Sequence, residues 1–297
     1  MAVPLPGLDL VVSRGAGTRA ARCGRRALMV GVGLGAVALT GCSPETTAQL
    51  GRLGLPEAAS DRAPEIGRLW IGTWIAAGVI GVLTLVLILW AALRYRNRGP
   101  ETPKQTRYNL PVEIMYTAAP FIIIGVLFFH TIVVQNRVLA PAEQPAHTVE
   151  VVGWKWSWTF NYLEESNSAV GANVWESGTI ERTPTLYLPV NEPVKFILTS
   201  PDVNHSFWVP AFYFKMDVIP GRTNSFTLTP TKEGTFAGKC NELCGTYHSA
   251  MLFNVKVVSQ AEFNAELLRL KDAGQTGVVR GPEDVRVIKG TEPEGKR

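Results

Sequence analysis

Hydrophobic and polar positions along the chain follow different rhythms in its two halves. Leu69 to Leu93 holds no charged residue, and a second apolar run extends from Ile114 to Val134. At ~1.5 Å per residue each run is long enough to cross a ~30 Å hydrocarbon core, so each predicts a membrane-spanning helix. Trp70, Trp74 and Trp90 suit the two membrane interfaces. Pro120 falls in the first half of the second run, where a membrane helix tolerates a kink. Beyond His147 the pattern becomes alternation. HTVEVVGWKWSWTFNY alternates apolar and polar residues and is rich in aromatic and β-branched types. By the two-residue period, Trp154, Trp156 and Trp158 are expected on one sheet face. Further strand-like runs are TPTLYLPV, PVKFILTS, SFWVP, NSFTLTP, GTFAGKC and MLFNVKVV, separated by Pro, Gly and Asn. Strands at this spacing predict an all-β sandwich or barrel over 147–258. SQAE at Ser259 is a capping box for a short amphipathic helix through Leu270. The polar residues that follow have no core-forming pattern and predict a disordered tail within 259–297.

The N-terminus reads as a targeting segment. Arg14, Arg19, Arg22, Arg25 and Arg26 form a positive region with no acidic residue after Asp9. The apolar run Ala27–Leu39 is too short to span a bilayer comfortably, as in a signal peptide. It ends in Leu39-Thr40-Gly41-Cys42, small residues before a cysteine that resemble the lipobox of bacterial lipoproteins. Cleavage there removes 1–41, Cys23 included, and leaves Cys42 to carry lipid; an ordinary signal peptide with an incidental Cys42 is the alternative. Residues 42–68 then form an extracytoplasmic tether. The 297-residue chain carries a net charge of +4. Its positives gather near the N-terminus and in the loop 94–113, at Arg94, Arg96, Arg98, Lys104 and Arg107. That is a topology signal, which makes this loop cytoplasmic and puts both ends of the mature chain outside the cytoplasm. No basic patch interleaved with aromatics points to nucleic acid, and no CxxCH predicts covalent haem.

The chemistry is concentrated in CNELCGTYHSAM. It places Cys240, Cys244, His248 and Met251 in one tight loop, with His205 upstream in SPDVNHSFWVP. Soft sulfur with imidazole suits copper, and the second cysteine supplies enough bridging sulfur for two copper ions. Two Cys and two His also satisfy a structural zinc site, which leaves Met251 unexplained. A Cys240–Cys244 disulfide would leave both histidines idle.

The pattern C-x-E-x-C-x-x-x-H-x-x-M with an upstream D-x-x-H-S resembles subunit II of haem-copper cytochrome c oxidase. The likeness extends from Leu69 to about Val258 and includes GWKWSWTF and VIPGRTNSF. It implies a two-helix transmembrane hairpin followed by an extracytoplasmic cupredoxin, a Greek-key β-barrel. It further implies a binuclear copper A centre. Cys240 and Cys244 would bridge the ions, His205 and Met251 would complete one, and His248 with the Glu242 carbonyl would complete the other. The Glu242 carboxylate would reach a magnesium shared with subunit I. Trp156 would be the electron port, and Glu113 would stand at the mouth of a proton pathway. Implied partners are the haem-bearing subunit I, subunit III and cytochrome c, which the acids Glu164, Glu165, Glu176, Glu181 and Asp202 would steer. A copper A nitric oxide reductase and a membrane-tethered copper-delivery protein share parts of this pattern.

The N-terminal reading is checked by mass spectrometry of the mature N-terminal peptide. A diacylglycerol on Cys42 is expected; an unmodified Cys42 thiol or an intact Met1 terminus would contradict it.

Overall fold

The computed structural model describes residues 43–96, 99, 105–141, 144–163 and 170–281. Cys42, Glu164 and Glu165 therefore lie outside the described residues. The chain divides into two units, 1–54 and 55–297. In the first, helix α1 (Pro44–Gly51) starts on Ser43, whose hydroxyl accepts the Thr46 N–H at 3.2 Å, with Pro44 in the first turn.

In the second unit, α2 (Ala63–Arg94) and α3 (Leu110–Val138) are the two predicted spans, each longer than its apolar run. The 32 residues of α2 measure ~48 Å. The excess lies at the ends, where polar residues continue the helix outside the hydrocarbon layer. Both helices expose nearly all their apolar side chains, as lipid-facing helices do. Their ends next to the β-domain are clasped: the Arg62 guanidinium donates to the carbonyls of Arg137 at 2.9 Å and Ala140 at 3.0 Å. These are carbonyls at the C-terminal end of α3, and a cation there answers both their unmet acceptors and the helix dipole.

The β-domain is a sandwich of two five-stranded sheets. One has the order β3-β2-β1-β5-β8, the other β4-β10-β9-β6-β7. The strands are β1 (His147–Trp154), β2 (Ser157–Tyr162), β3 (Val174–Ser177), β4 (Thr185–Pro189), β5 (Val194–Thr199), β6 (His205–Val209), β7 (Phe214–Val218), β8 (Asn224–Leu228), β9 (Gly234–Cys240) and β10 (Leu252–Val258). β1 runs parallel to β5 and β10 parallel to β4; the other pairings are antiparallel. Between the sheets lies an aromatic core. Phe207 stacks on Phe253 at 4.9 Å and Phe196 on Phe226 at 4.7 Å, while Trp158 meets Phe253 edge-on at 5.3 Å. Gly238 faces the Phe253 ring so closely that a Cβ would overlap it.

Chain before α2 docks onto this sandwich. Ala59 N–H donates to the Ala211 carbonyl at 2.8 Å, its carbonyl accepts from Thr231 N–H at 2.9 Å, and Asp61 accepts from Thr229 N–H at 2.8 Å. These partners follow β6 and precede β9. The membrane helices are thus anchored at one end of β6 and β9, and His205 and Cys240 stand at the other.

Three details differ from the sequence reading. First, the tryptophans do not share a face, because the chain reverses at Lys155-Trp156. Gly153 pairs with Trp158 and Trp154 with Ser157. Trp158 therefore points into the core, Trp154 lies on the other face bonded to Thr159 at 3.0 Å, and Trp156 sits in the turn. Second, β3 and β7 were not in the pattern: VWES is too short to show a period, although FKMDV alternates. Third, order continues past the last helix, α4 (Gln260–Asp272), capped by Ser259. The residues through Gly281 are held on β1–β3. Trp175 N–H donates to Gln275 O at 3.0 Å, Asn161 exchanges two hydrogen bonds with the Val279 backbone at 2.9 Å, and Arg280 meets the buried Glu150 at 2.8 Å. This strap buries the polar face of β1 and β2 that alternation alone assigns to solvent.

Gly238→Ala should force the Phe253 ring out of its stack. A loss of about 1–3 kcal/mol in stability is expected for an overpacked core, read as a lowered unfolding midpoint of the full chain in detergent.

Candidate metal centre

The sulfur and imidazole groups converge where β6, β9 and β10 meet. His205 opens β6, Cys240 closes β9, and Met251 stands immediately before β10. The residues between Cys240 and Met251 are an excursion from the β9–β10 hairpin. Its neck is closed by the Cys240 N–H donating to the Met251 carbonyl at 3.0 Å, and the Trp158 indole donates to the same carbonyl at 3.4 Å. Gly153 backs the site: a Cβ there would meet the His205 Cβ at 3.2 Å and the Trp158 ring at 3.0 Å. A side chain here would push His205 or Trp158 away by a few tenths of an ångström.

Four donors gather around two unbonded cysteines. The sulfurs of Cys240 and Cys244 are 3.9 Å apart. Cys240 Sγ lies 3.9 Å from His205 Nδ1 and 3.3 Å from the Glu242 carbonyl. Cys244 Sγ lies 3.6 Å from His248 Nδ1 and 3.7 Å from Met251 Sδ. A tetrahedral ion with ~2.3 Å metal–sulfur bonds has donor–donor edges of roughly 3.7 Å. These separations are of that size, so the cluster can hold metal without large movement, and its S, N and O composition suits a soft transition metal. Cys240, Cys244, His205 and Met251 are buried, His248 is half-buried, and the Glu242 side chain is exposed.

Electrostatics follow from crowding. A hydrogen bond from the Cys244 thiol, opposed by burial and aided by His205, pulls the Cys240 thiol well below the usual thiol range. The Cys240 thiolate and burial push Cys244 up. Two negative sulfurs at this separation repel, so without a cation the pair keeps one proton; a metal replaces it.

Asp202 holds the imidazole of His205 from behind. Its carboxylate accepts from His205 Nε2 at 2.9 Å, from Lys155 N–H at 2.6 Å and from Val203 N–H at 2.6 Å. Burial would raise this carboxyl, but hydrogen bonds from His205, Lys155 and Val203 outweigh it and hold it below the usual range. With the proton fixed on Nε2, Nδ1 offers its lone pair toward the sulfurs. Sequence reasoning placed Asp202 among acids steering a partner; its position three residues before His205 was the available signal for this other role. Glu176 is likewise committed inward, to Arg182 at 3.0 Å and to the Gln275 amide at 3.3 Å. Of those acids, Glu181 is exposed.

Trp156 lies against the loop. Its indole Nε1–H donates to the Cys244 carbonyl at 3.2 Å, and its ring meets Tyr247 edge-on at 5.0 Å. Glu113 is far along the chain in the first turn of α3, where its carboxylate accepts the Asn109 N–H at 2.9 Å and so caps that helix.

Comparison with known proteins agrees with this geometry. A family model described as "Cytochrome C oxidase subunit II, periplasmic domain" matches residues 147–258, the limits of the sandwich. A probable cytochrome c oxidase subunit 2 of Streptomyces avermitilis is 44% identical over 280 residues, covering 83% of this chain and 87% of the relative. Cytochrome c oxidase subunit 2 of Corynebacterium glutamicum is 35% identical, covering 84% and 86%. That of Mycobacterium tuberculosis is 33% identical and covers 92% of both chains.

Asp202→Ala should lower copper affinity by about 10- to 100-fold, the usual effect of losing the group that orients a ligating histidine. Competition with a copper chelator measures it. Unchanged affinity would mean that His205 is oriented without Asp202.

Proposed function

Because this chain belongs to the cytochrome c oxidase subunit II family, we propose that its sandwich carries a binuclear copper A centre and receives electrons from cytochrome c. The electrons pass on to haem in subunit I, where oxygen is reduced to water and protons are pumped. The observation that carries this reading is the pair of cysteine sulfurs 3.9 Å apart, with four further donors at tetrahedral-edge separations. Six donors exceed what one tetrahedral ion takes, whereas two ions sharing both thiolates would use all of them. His205 and Met251 would complete one coordination set, and His248 with the Glu242 carbonyl would complete the other. Bound copper supplies reversible one-electron exchange.

The residues' own work is to keep that exchange cheap in reorganisation. Cys240 and Cys244 spread the charge change over both positions. The hairpin neck, Trp158 and Asp202 hold donors in place in either redox state, and burial of the sulfurs keeps water away. Trp156, in contact with the Cys244 carbonyl, is the port facing the donor. Glu242 directs its carbonyl inward and leaves its carboxylate exposed, free to bind a magnesium whose other ligands come from subunit I. Glu113, at the loop end of α3, serves a proton pathway into subunit I. Subunit III completes the assembly, and lipid on Cys42 adds an anchor to the extracytoplasmic leaflet.

Electron paramagnetic resonance of the copper-loaded full chain tests the centre. One unpaired electron coupled to two copper nuclei is expected. Cys240→Ser or Cys244→Ser should abolish that spectrum, and Met251→Leu should perturb it less, because a thioether is a weak ligand. A single-copper spectrum with one metal per chain would overturn the assignment.

A further inference from the structure

The loop that carries Cys244 and the Glu242 carbonyl leaves the sandwich at Cys240 and rejoins it at Met251. Leu243 at its tip is 79% exposed, so no core packing fixes the tip. Two N–H donors hold the loop to its surroundings: Asn241 N–H to the Ser206 carbonyl at 3.0 Å, and the Trp156 indole N–H to the Cys244 carbonyl at 3.2 Å. Trp156 meets three places along the loop. Besides the Cys244 carbonyl, its Nε1 lies 3.0 Å from where a Cβ on Gly245 would stand. Its ring also meets Tyr247 edge-on at 5.0 Å. Gly245 has φ +123°, a conformation that a side chain would strain. The turn bearing Trp156 is itself fixed to the opposite side of the site, through Lys155 N–H to Asp202 and from Asp202 to His205.

We propose that Trp156 is the latch of the ligand loop as well as the electron port. Its indole N–H and the bare backbone of Gly245 seat Cys244 beside Cys240. The same turn, through Asp202, sets His205. This rests on the copper reading only for its metal-bound consequences; the latch itself is a property of the chain without metal. It also changes what a mutation at the port means: a substitution that removes the indole N–H disturbs the metal as well as the electron path.

The test uses the full chain in detergent and the variant Trp156→Phe, which keeps an aromatic ring at the site and loses the N–H. Amide hydrogen exchange is read in the metal-free chain, and transfer of bound copper to excess chelator in the loaded one. Loss of one partly buried hydrogen bond should speed both by roughly two- to tenfold. The copper hyperfine pattern should also shift, while the unfolding midpoint of the metal-free chain falls by no more than the loss of one hydrogen bond accounts for. Gly245→Ala, which lifts the ring instead, should act the same way and serves if Trp156→Phe fails to fold. Parent-like exchange across 241–247 in both variants would overturn the latch. So would faster exchange spread over the whole sandwich with a midpoint lowered by several times what one hydrogen bond contributes. A parent chain that fails to take two coppers would sink the copper reading alone, and loop exchange would still decide the latch.

Discussion

Two cysteine sulfurs stand 3.9 Å apart in a buried pocket, and the candidate metal end of this protein is organised around the repulsion they would feel as thiolates. Without a cation the pair settles the conflict by keeping one proton between them. A pocket that stores such a conflict has to be held together by something other than its ligands. Here it is held by β-sheet: the neck of the loop is a continuation of the β9–β10 ladder, closed by Cys240 N–H and Met251 O. The aromatic layer of Trp158, Phe207 and Phe253 lies directly beneath. The core therefore has a second task beyond burial of apolar surface, since its rigidity sets the separation of the sulfurs.

The long-range order of the fold serves the same end. β6 and β9 are neighbours in one sheet, each attached to the helix-bearing segment at one end and to the metal cluster at the other. Ala59 and Asp61 bind the chain around 211 and 229–231, and Arg62 ties that segment to the end of α3. A membrane hairpin, a docking segment and two strands thus form one mechanical connection. In an electron-transfer subunit such a connection fixes the centre relative to whatever acceptor packs against the helices. The polar face of β1 and β2 is closed by the C-terminal strap, in which Glu150, Asn161 and Arg280 satisfy one another. A buried carboxylate and amide are tolerable there because each has its partners.

The structure adds contacts that the sequence did not show. Asp202, an acid in a loop, suggested attraction of a partner; in the fold its carboxylate is spent on His205 and on two backbone amides. Trp154, Trp156 and Trp158 were expected on one sheet face; the chain reversal separates them into an outer-face residue, a turn residue and a core residue. Glu113 carries a helix-capping bond that a reading of isolated membrane carboxylates does not anticipate.

The sequence by itself determined the classes of element and singled out the candidate ligands. Uninterrupted apolar runs of this length favour membrane helices, and alternation bounded by turn residues favours strands. Cys, His and Met at fixed spacing in one loop carry their chemistry wherever the loop is placed. These signals are local, so they survive in the linear text. The tertiary structure alone decided what lies behind each ligand: that Gly153 makes room for His205, that Asp202 orients it, and that Trp156 and Gly245 meet across the site. It also decided that the chain beyond α4 is ordered, because the partners of Gln275, Val279 and Arg280 lie more than a hundred residues upstream or close to it. Contacts between distant segments leave no period and no motif, since they depend on how the sheets stack and where the chain turns, and only folding brings those together.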